Sequence, residues 1–172
     1  MKKTNVAFLD RDGVINSRYL NNGYVGSLKH FRWVKGAIKA IKFLNDKNYK
    51  VVVVTNQSGV ARGFFTIEDV KKIHSYIQKK LKENEAKIDA FYYCPFHKDG
   101  IVKKYKKNSL LRKPNIGMFN LAQKKWNIDK RNSFMIGDQK TDIEFAKRAK
   151  IKGYLFKDKN LFKFCRKKIF FD

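Results

Sequence analysis

At 172 residues, 43% of them hydrophobic and 15% aromatic, the chain is long enough to fill one core and too short for two ordinary domains. A net charge of +25 would draw the surface toward any polyanion, but the lysines are spread along the whole chain with neither an aromatic-rich RNP segment nor a GXXG loop beside them, so a nucleic-acid partner is not expected. No stretch nears the about 18 apolar residues of a membrane span, the apolar run after Met1-Lys2-Lys3 is too short for a signal peptide, and two cysteines, Cys94 and Cys165, make no disulfide framework, so a cytoplasmic location away from the membrane is expected.

Val6 to Leu9 has the character of a short buried strand, which puts Asp10 at its C-terminal edge. Side chains two apart in an extended segment point the same way, so Asp10 and Asp12 face one spot while Arg11 turns aside. Gly13 permits a sharp turn and leaves room for a ligand. Two carboxylates held together fit a metal site, a proton-transfer pair, or a nucleophile with its acid. A calcium loop fits poorly, because position twelve counted from Asp10 is Asn21 and not Glu.

Residues 14 to 33, with Asn21-Asn22-Gly23 and Gly26-Ser27, read as a loop or short hairpin. Between Gly36 and Asp46 the apolar residues Ala37, Ile38, Ile41 and Leu44 recur at helical spacing, and a β-branched run, Val51 to Val54, marks a strand over Lys50 to Thr55. Thr66 with Asp69 three places on starts the next helix as a capping box would, and Ile67, Val70, Ile73, Ile77 and Leu81 form its stripe. A third strand at Ile88 to Cys94 is followed by an irregular stretch, 95 to 112, of a length usual in functional or mobile loops. Then come a helix near Met118 to Trp126, a strand at Ser133 to Ile136, a helix near Thr141 to Ala149 and a strand around Gly153 to Phe156. Continuous apolar strands alternating with helices predict the α/β class: a Rossmann-like three-layer α/β/α arrangement around a central parallel sheet. One domain is expected, with its core at about 5–156. The tail 157–172 mixes Leu161, Phe162, Phe164 and Ile169 to Phe171 with basic residues, and is expected to pack on that core.

In a parallel sheet all C-terminal strand ends share one edge, where ligands bind. There Thr55-Asn56-Gln57, Arg112-Lys113-Pro114, and Gly137-Asp138 with Asp142 can meet Asp10 and Asp12. Such a set suits a phosphate monoester. A dianionic phosphoryl group about 4 Å from an ionised carboxylate is repelled by about 8 kcal/mol at an effective dielectric of about 20. A hard divalent cation with oxygen ligands, Mg²⁺ by preference, and a fixed lysine would offset this, and Asp10, Asp138 and Lys113 supply those groups. Asp10 could then accept the phosphoryl group, while Asp12 protonates the departing alcohol and later takes a proton from water. Thr55 and nearby amides would hold the equatorial oxygens.

The order Asp10-x-Asp12-Gly13, Thr55, Lys113 and Gly137-Asp138 resembles the haloacid dehalogenase superfamily of phosphatases over about residues 5–155. More narrowly, Gly23-Tyr24-Val25, the stretch Thr55 to Gly63, Tyr93-Cys94-Pro95, Arg112-Lys113-Pro114 and Gly117-Met118 are similar to the D-glycero-D-manno-heptose-1,7-bisphosphate phosphatases. Those enzymes remove the C7 phosphate during synthesis of nucleotide-activated heptose for lipopolysaccharide or surface glycans. The resemblance implies an aspartyl-phosphate on Asp10, acid/base work by Asp12, phosphoryl contacts from Thr55 and Lys113, and Mg²⁺ held by Asp10, the Asp12 carbonyl and Asp138. It also implies substrate recognition by Asn21, Asn22, Gly23, Tyr24, Asn56, Gln57, Ser58, Arg62, Arg112 and Gln139.

The stretches between Asp10, Thr55 and Lys113 are already filled by the elements above, so no cap domain is expected and the cleft should be open. The family often carries a zinc loop built on Cys-x-His and Cys-x-Cys. Here Cys94 and His97 are joined by Phe96, Ser109 and Leu111, so zinc is not expected and residues 96–111 are expected to be a mobile loop held by packing alone. Gln139 stands where the heptose enzymes tend to have a lysine, with Lys140 adjacent. A small sugar bisphosphate bound by a monomer is the expected partner. Histidinol phosphate and a 3′-phosphorylated nucleic-acid end are the alternative substrates, although relatives acting on the former do not usually carry Ser58 to Gly63.

Overall fold

A computed structural model describes residues 2–18 and 23–171. The apolar run Val6–Leu9 is strand β1, the middle of a five-stranded parallel sheet. The others are β2 (Lys50–Asn56), β3 (Ala90–Cys94), β4 (Phe134–Gly137) and β5 (Lys152–Leu155), ordered β3-β2-β1-β4-β5. The order reverses at β1, so the crevice between β1 and β4 is the switch point where an open α/β sheet takes its ligand. Asp10 and Asp138 are the residues that follow these two strands.

Alternation along the strands sorts the helices into two layers. Ala7, Leu9, Val51 and Val53 face α1 (Ala37–Asp46), α2 (Ile67–Lys82) and α5 (Leu161–Cys165). Val6, Phe8, Val52 and Val54 face α3 (Gly117–Lys125) and α4 (Lys140–Ala149). Helix α2 starts on the predicted box, with Thr66 Oγ1 accepting from Asp69 N and Asp69 Oδ2 accepting from Thr66 N. Inside the sheet, Val6 N donates to the buried Ser133 Oγ at 2.9 Å, which aligns the starts of β1 and β4.

The tail packs as expected, and does so as a helix that its short apolar run did not announce. Leu161, Phe164 and Cys165 are buried, and Phe170, in a wide turn after α5, meets Phe43 and Tyr49 edge-on. Among the described residues, the segments that join β1 to α1 and β3 to α3 hold only the single turns Leu28–His30 and Lys103–Tyr105, and the segment from β2 to α2 holds no helix or strand, so no cap layer covers the sheet edge there. Residues 96–111 differ from the expectation of a loop held by packing alone. Ile101 N and Val102 N both donate to Ala61 O (2.8 and 3.0 Å), and Gly117 N donates to Leu110 O (2.9 Å). No helix among the described residues is long and apolar enough to cross a membrane.

Phe8 is fully buried between Phe119 and Phe145, with ring centroids 5.4 and 6.3 Å away. Phe8→Ala should cost about 3–5 kcal/mol of unfolding free energy, read from the shift of the urea midpoint at constant slope.

Candidate active site

The chain leaves β1 through a tight turn in which Arg11 N donates to Asp10 Oδ1 at 2.8 Å. Gly13 closes the turn at φ 95°, and a Cβ there would lie 2.2 Å from Asp138 Oδ2. Only glycine therefore lets the loops after β1 and β4 touch. Gly137 does the same for α4, since a Cβ on it would lie 2.1 Å from Asp142 Cβ. That close approach seats Asp142 in the first turn of α4, where Gln139 N donates to its Oδ2 at 3.0 Å.

At the base of the crevice Lys113 is 3% exposed, its Nζ 3.0 Å from Asp10 Oδ1 and 2.6 Å from Asp142 Oδ1. Asn56 fixes the lysine from its backbone: Asn56 Nδ2 donates to Lys113 O (3.1 Å), and Lys113 N donates to Asn56 Oδ1 (3.0 Å). Burial would lower the Lys113 ammonium, but Asp10 and Asp142 outweigh it and hold the group above its ordinary value. Asp10 is pushed up to about 7, first by burial and then by Asp142, Asp12 and Asp138, against the pull of Lys113.

Asp12 sits in a different setting. Its Oδ1 accepts from Asn16 Nδ2 (2.9 Å) and Arg11 Nε (3.1 Å), and its Oδ2 from Gln57 Nε2 (2.8 Å). Arg11 does not turn aside into solvent. It is fully buried and folds back under Asp12, also reaching Val25 O (2.8 Å), Gln57 Oε1 (3.0 Å) and, at 3.5 Å, His74 Nε2. Burial, with Arg11 adding to it, drives His74 down to about 3, so the imidazole is neutral where it stacks on Phe91 at 4.5 Å.

Asp138 carries the outer side of the crevice. Both its oxygens are taken by Arg18, at 2.7 Å from Nε and 2.9 Å from Nη2. Burial raises the Asp138 carboxyl, but this fork more than offsets it and the group lies below its ordinary value. Asp10, Asp138 and Asp142 can bring one oxygen each within 4.8 Å of one another, the arrangement that a divalent cation needs. Three carboxylates converge here with one buried amine, a set of hard oxygen donors that fits an oxygen-preferring ion such as Mg²⁺.

These groups open into a cavity of about 370 Å³. Asp10, Asp12, Thr55 and Lys113 line it, together with Gly23, Tyr24, Ser58, Arg112 and Gln139. Tyr24 Oη and Ser58 Oγ are 3.3 Å apart on one wall. Asn56 also borders it, although its amide is spent on Lys113. Two of the expected substrate contacts lie elsewhere. Gln57 is 1% exposed, its amide divided among Asp12, Thr55 and Arg11, because it follows a strand end and points inward. Arg62 turns to the 96–111 loop, with Nη2 3.4 Å from His97 Nε2. Asn21 and Asn22 fall outside the described residues.

Sequence reasoning missed the work of Arg11 and Asn16 beneath Asp12, and missed Arg18 altogether. Asp142 was visible as a third carboxylate, and its place at the third helical position after Gly137-Asp138 is the signal that aims it at the lysine.

Comparison with known proteins shows the family. Residues 5–160 match the family described as polynucleotide kinase 3 phosphatase. A D-glycero-beta-D-manno-heptose-1,7-bisphosphate 7-phosphatase of Rhodopseudomonas palustris is 43% identical over 90% of this chain and 84% of its own. A relative in Photorhabdus laumondii, named for the alpha anomer of the same sugar, is 36% identical over 87% of this chain and 80% of its own. Among solved structures, the D,D-heptose 1,7-bisphosphate phosphatase of B. bronchiseptica, complexed with magnesium and phosphate, superposes with a TM-score of 0.79 at 28% identity, covering 93% of this chain and 84% of that one. A HAD-like phosphatase of Mesorhizobium loti gives 0.80 at 32% identity over 89% of this chain and 72% of that one.

The raised Asp10 carboxyl gives a pH dependence. Its native value of about 7 lies above the ordinary 3.8, so the native state holds the extra proton and stability is lost as pH rises from about 4 to about 7. In metal-free protein the melting temperature should fall across that window and level off above it. Asp10→Asn should flatten the fall, and at pH 8 Mg²⁺ should raise the melting temperature of the wild type more than that of the variant.

Proposed function

The chain belongs to the polynucleotide kinase 3 phosphatase family of haloacid dehalogenase-like phosphatases, and from that membership we propose that it hydrolyses the C7 phosphate of D-glycero-D-manno-heptose 1,7-bisphosphate with Mg²⁺ as cofactor. The phosphoester chemistry rests above all on the buried Asp10–Lys113–Asp142 cluster at the base of an open cavity. The names of the relatives support the sugar. Two cysteines, both free and buried, suit the cytoplasm, where nucleotide-activated heptose would be made.

Asp10 attacks phosphorus, and the bond to the sugar oxygen breaks as the aspartyl bond forms. Asp12, held by Asn16, Gln57 and Arg11, delivers a proton to the departing alcohol and then takes one from the water that releases inorganic phosphate. Lys113 and Thr55 bind the equatorial oxygens as negative charge shifts between them. Mg²⁺ held by Asp10, the Asp12 carbonyl and Asp138 would supply the remaining positive charge that lets an anion meet an anion. Arg112, Tyr24 and Ser58, on the walls, would hold the sugar and its second phosphate.

The charge of +25 and the uncapped edge favour one other substrate, a 3′-phosphorylated nucleic-acid end. Phosphate release from heptose bisphosphate, histidinol phosphate and a 3′-phosphorylated oligonucleotide, each with and without Mg²⁺, separates the readings. Heptose bisphosphate should give the highest kcat/KM, with no turnover without the metal. A preference for the oligonucleotide that falls steeply with added salt would replace the sugar by nucleic acid. Asp10→Asn should lower phosphate release by at least about a thousandfold while the protein stays folded.

A further inference from the structure

Arg18 makes two parallel hydrogen bonds to the carboxylate of Asp138, the geometry in which a guanidinium holds an anion best. That carboxylate is also one of the three able to converge on a divalent cation. The two cations compete. A divalent ion about 4 Å from a guanidinium is repelled by about 8 kcal/mol at an effective dielectric of about 20, so a cation arriving on Asp138 loosens the arginine's hold there unless a further anion lies close by.

The Arg18 side chain is 39% exposed and lines the same cavity as Arg112. Among the described residues, Arg18, Arg112 and Lys113 are the cations lining it, and Lys113 is spent at the base. Position 139, beside Asp138, offers a glutamine that donates to Asp138 Oδ2 at 3.2 Å and brings no charge. The other basic residues there, Lys140 and Lys157, the latter donating from Nζ to Asp138 O at 2.9 Å, are not among the residues lining the cavity.

We propose that Arg18 is a specificity-determining residue with two successive partners: it holds Asp138 in the metal-free enzyme, and once a divalent cation claims that carboxylate it binds the second, non-reacting phosphate of a bisphosphate substrate. This rests on the sugar-bisphosphate reading above. The exchange keeps the charge of the crevice matched at each stage, since Asp138 is never left bare and the arginine moves from one anion to another.

Two measurements on the full chain and its Arg18→Ala and Arg18→Lys variants test this, with matching far-UV spectra showing that the variants fold. In calorimetric titrations with Mg²⁺ and no phosphate, Arg18→Ala should bind the metal at least about threefold more tightly, because Asp138 has lost its competitor. Equal or weaker binding overturns the proposal. In steady-state assays, the ratio of kcat/KM for heptose bisphosphate to that for p-nitrophenyl phosphate should fall at least about tenfold in Arg18→Ala, through KM for the bisphosphate, and recover in part in Arg18→Lys. An unchanged ratio overturns the second role. A wild-type enzyme with no preference for the bisphosphate would instead sink the sugar-bisphosphate reading and the second role with it, and the metal titration would then decide the first.

Discussion

A lysine ammonium buried between two carboxylates governs this molecule. Lys113 is sealed from solvent, and only the pairing with Asp10 and Asp142 makes that burial tolerable. Removing either acid would leave a desolvated charge with half its compensation. Much of the local architecture serves this pair of contacts. Asn56 pins the lysine's backbone from the end of β2, and Gly137 is bare so that the first turn of α4 can bring Asp142 in. The end of β1 and the start of α4 are thereby joined through a single nitrogen, and the end of β2 holds the same residue by its backbone.

Two acids two residues apart end in opposite settings. Asp10 shares one amine with other carboxylates and is pushed toward its protonated form, whereas Asp12 rests in a cage of Arg11, Asn16 and Gln57 donors. An acid held short of positive charge answers strongly to an incoming cation. One braced by donors keeps its orientation while protons pass. Environment, not residue type, divides the labour, as it does wherever paired carboxylates take separate roles.

The sheet was legible because its signals are local. Four apolar residues ahead of Asp10, the valine run of β2 and the Thr66–Asp69 cap each declare themselves within a few positions, and the parallel arrangement follows from their alternation with helices. The base of the cavity was legible for the same reason, since strand ends in a parallel sheet must share an edge. What stayed hidden depends on direction over distance. Nothing near Arg18 says that it reaches Asp138, and Gln57 reads as a substrate contact until the turn after β2 points it at Arg11. The helix of the tail was hidden too, because Leu161 to Cys165 is too short to show a period and is defined by the surface it covers, where Phe162 meets Phe43.

The strap from His97 to Lys106 hangs on main-chain groups, with two successive amides on the one carbonyl of Ala61. A tether made of backbone is indifferent to the side chains it carries. Lys103, Lys104, Lys106 and Lys107 can therefore be exchanged without loosening it. Because Ala61 belongs to the same tight turn as Ser58, the strap is anchored to the turn that carries one wall of the cavity. The crowded basic segment is thus tied by its main chain to the turn that carries Ser58, and its lysine side chains are left to solvent chemistry of their own.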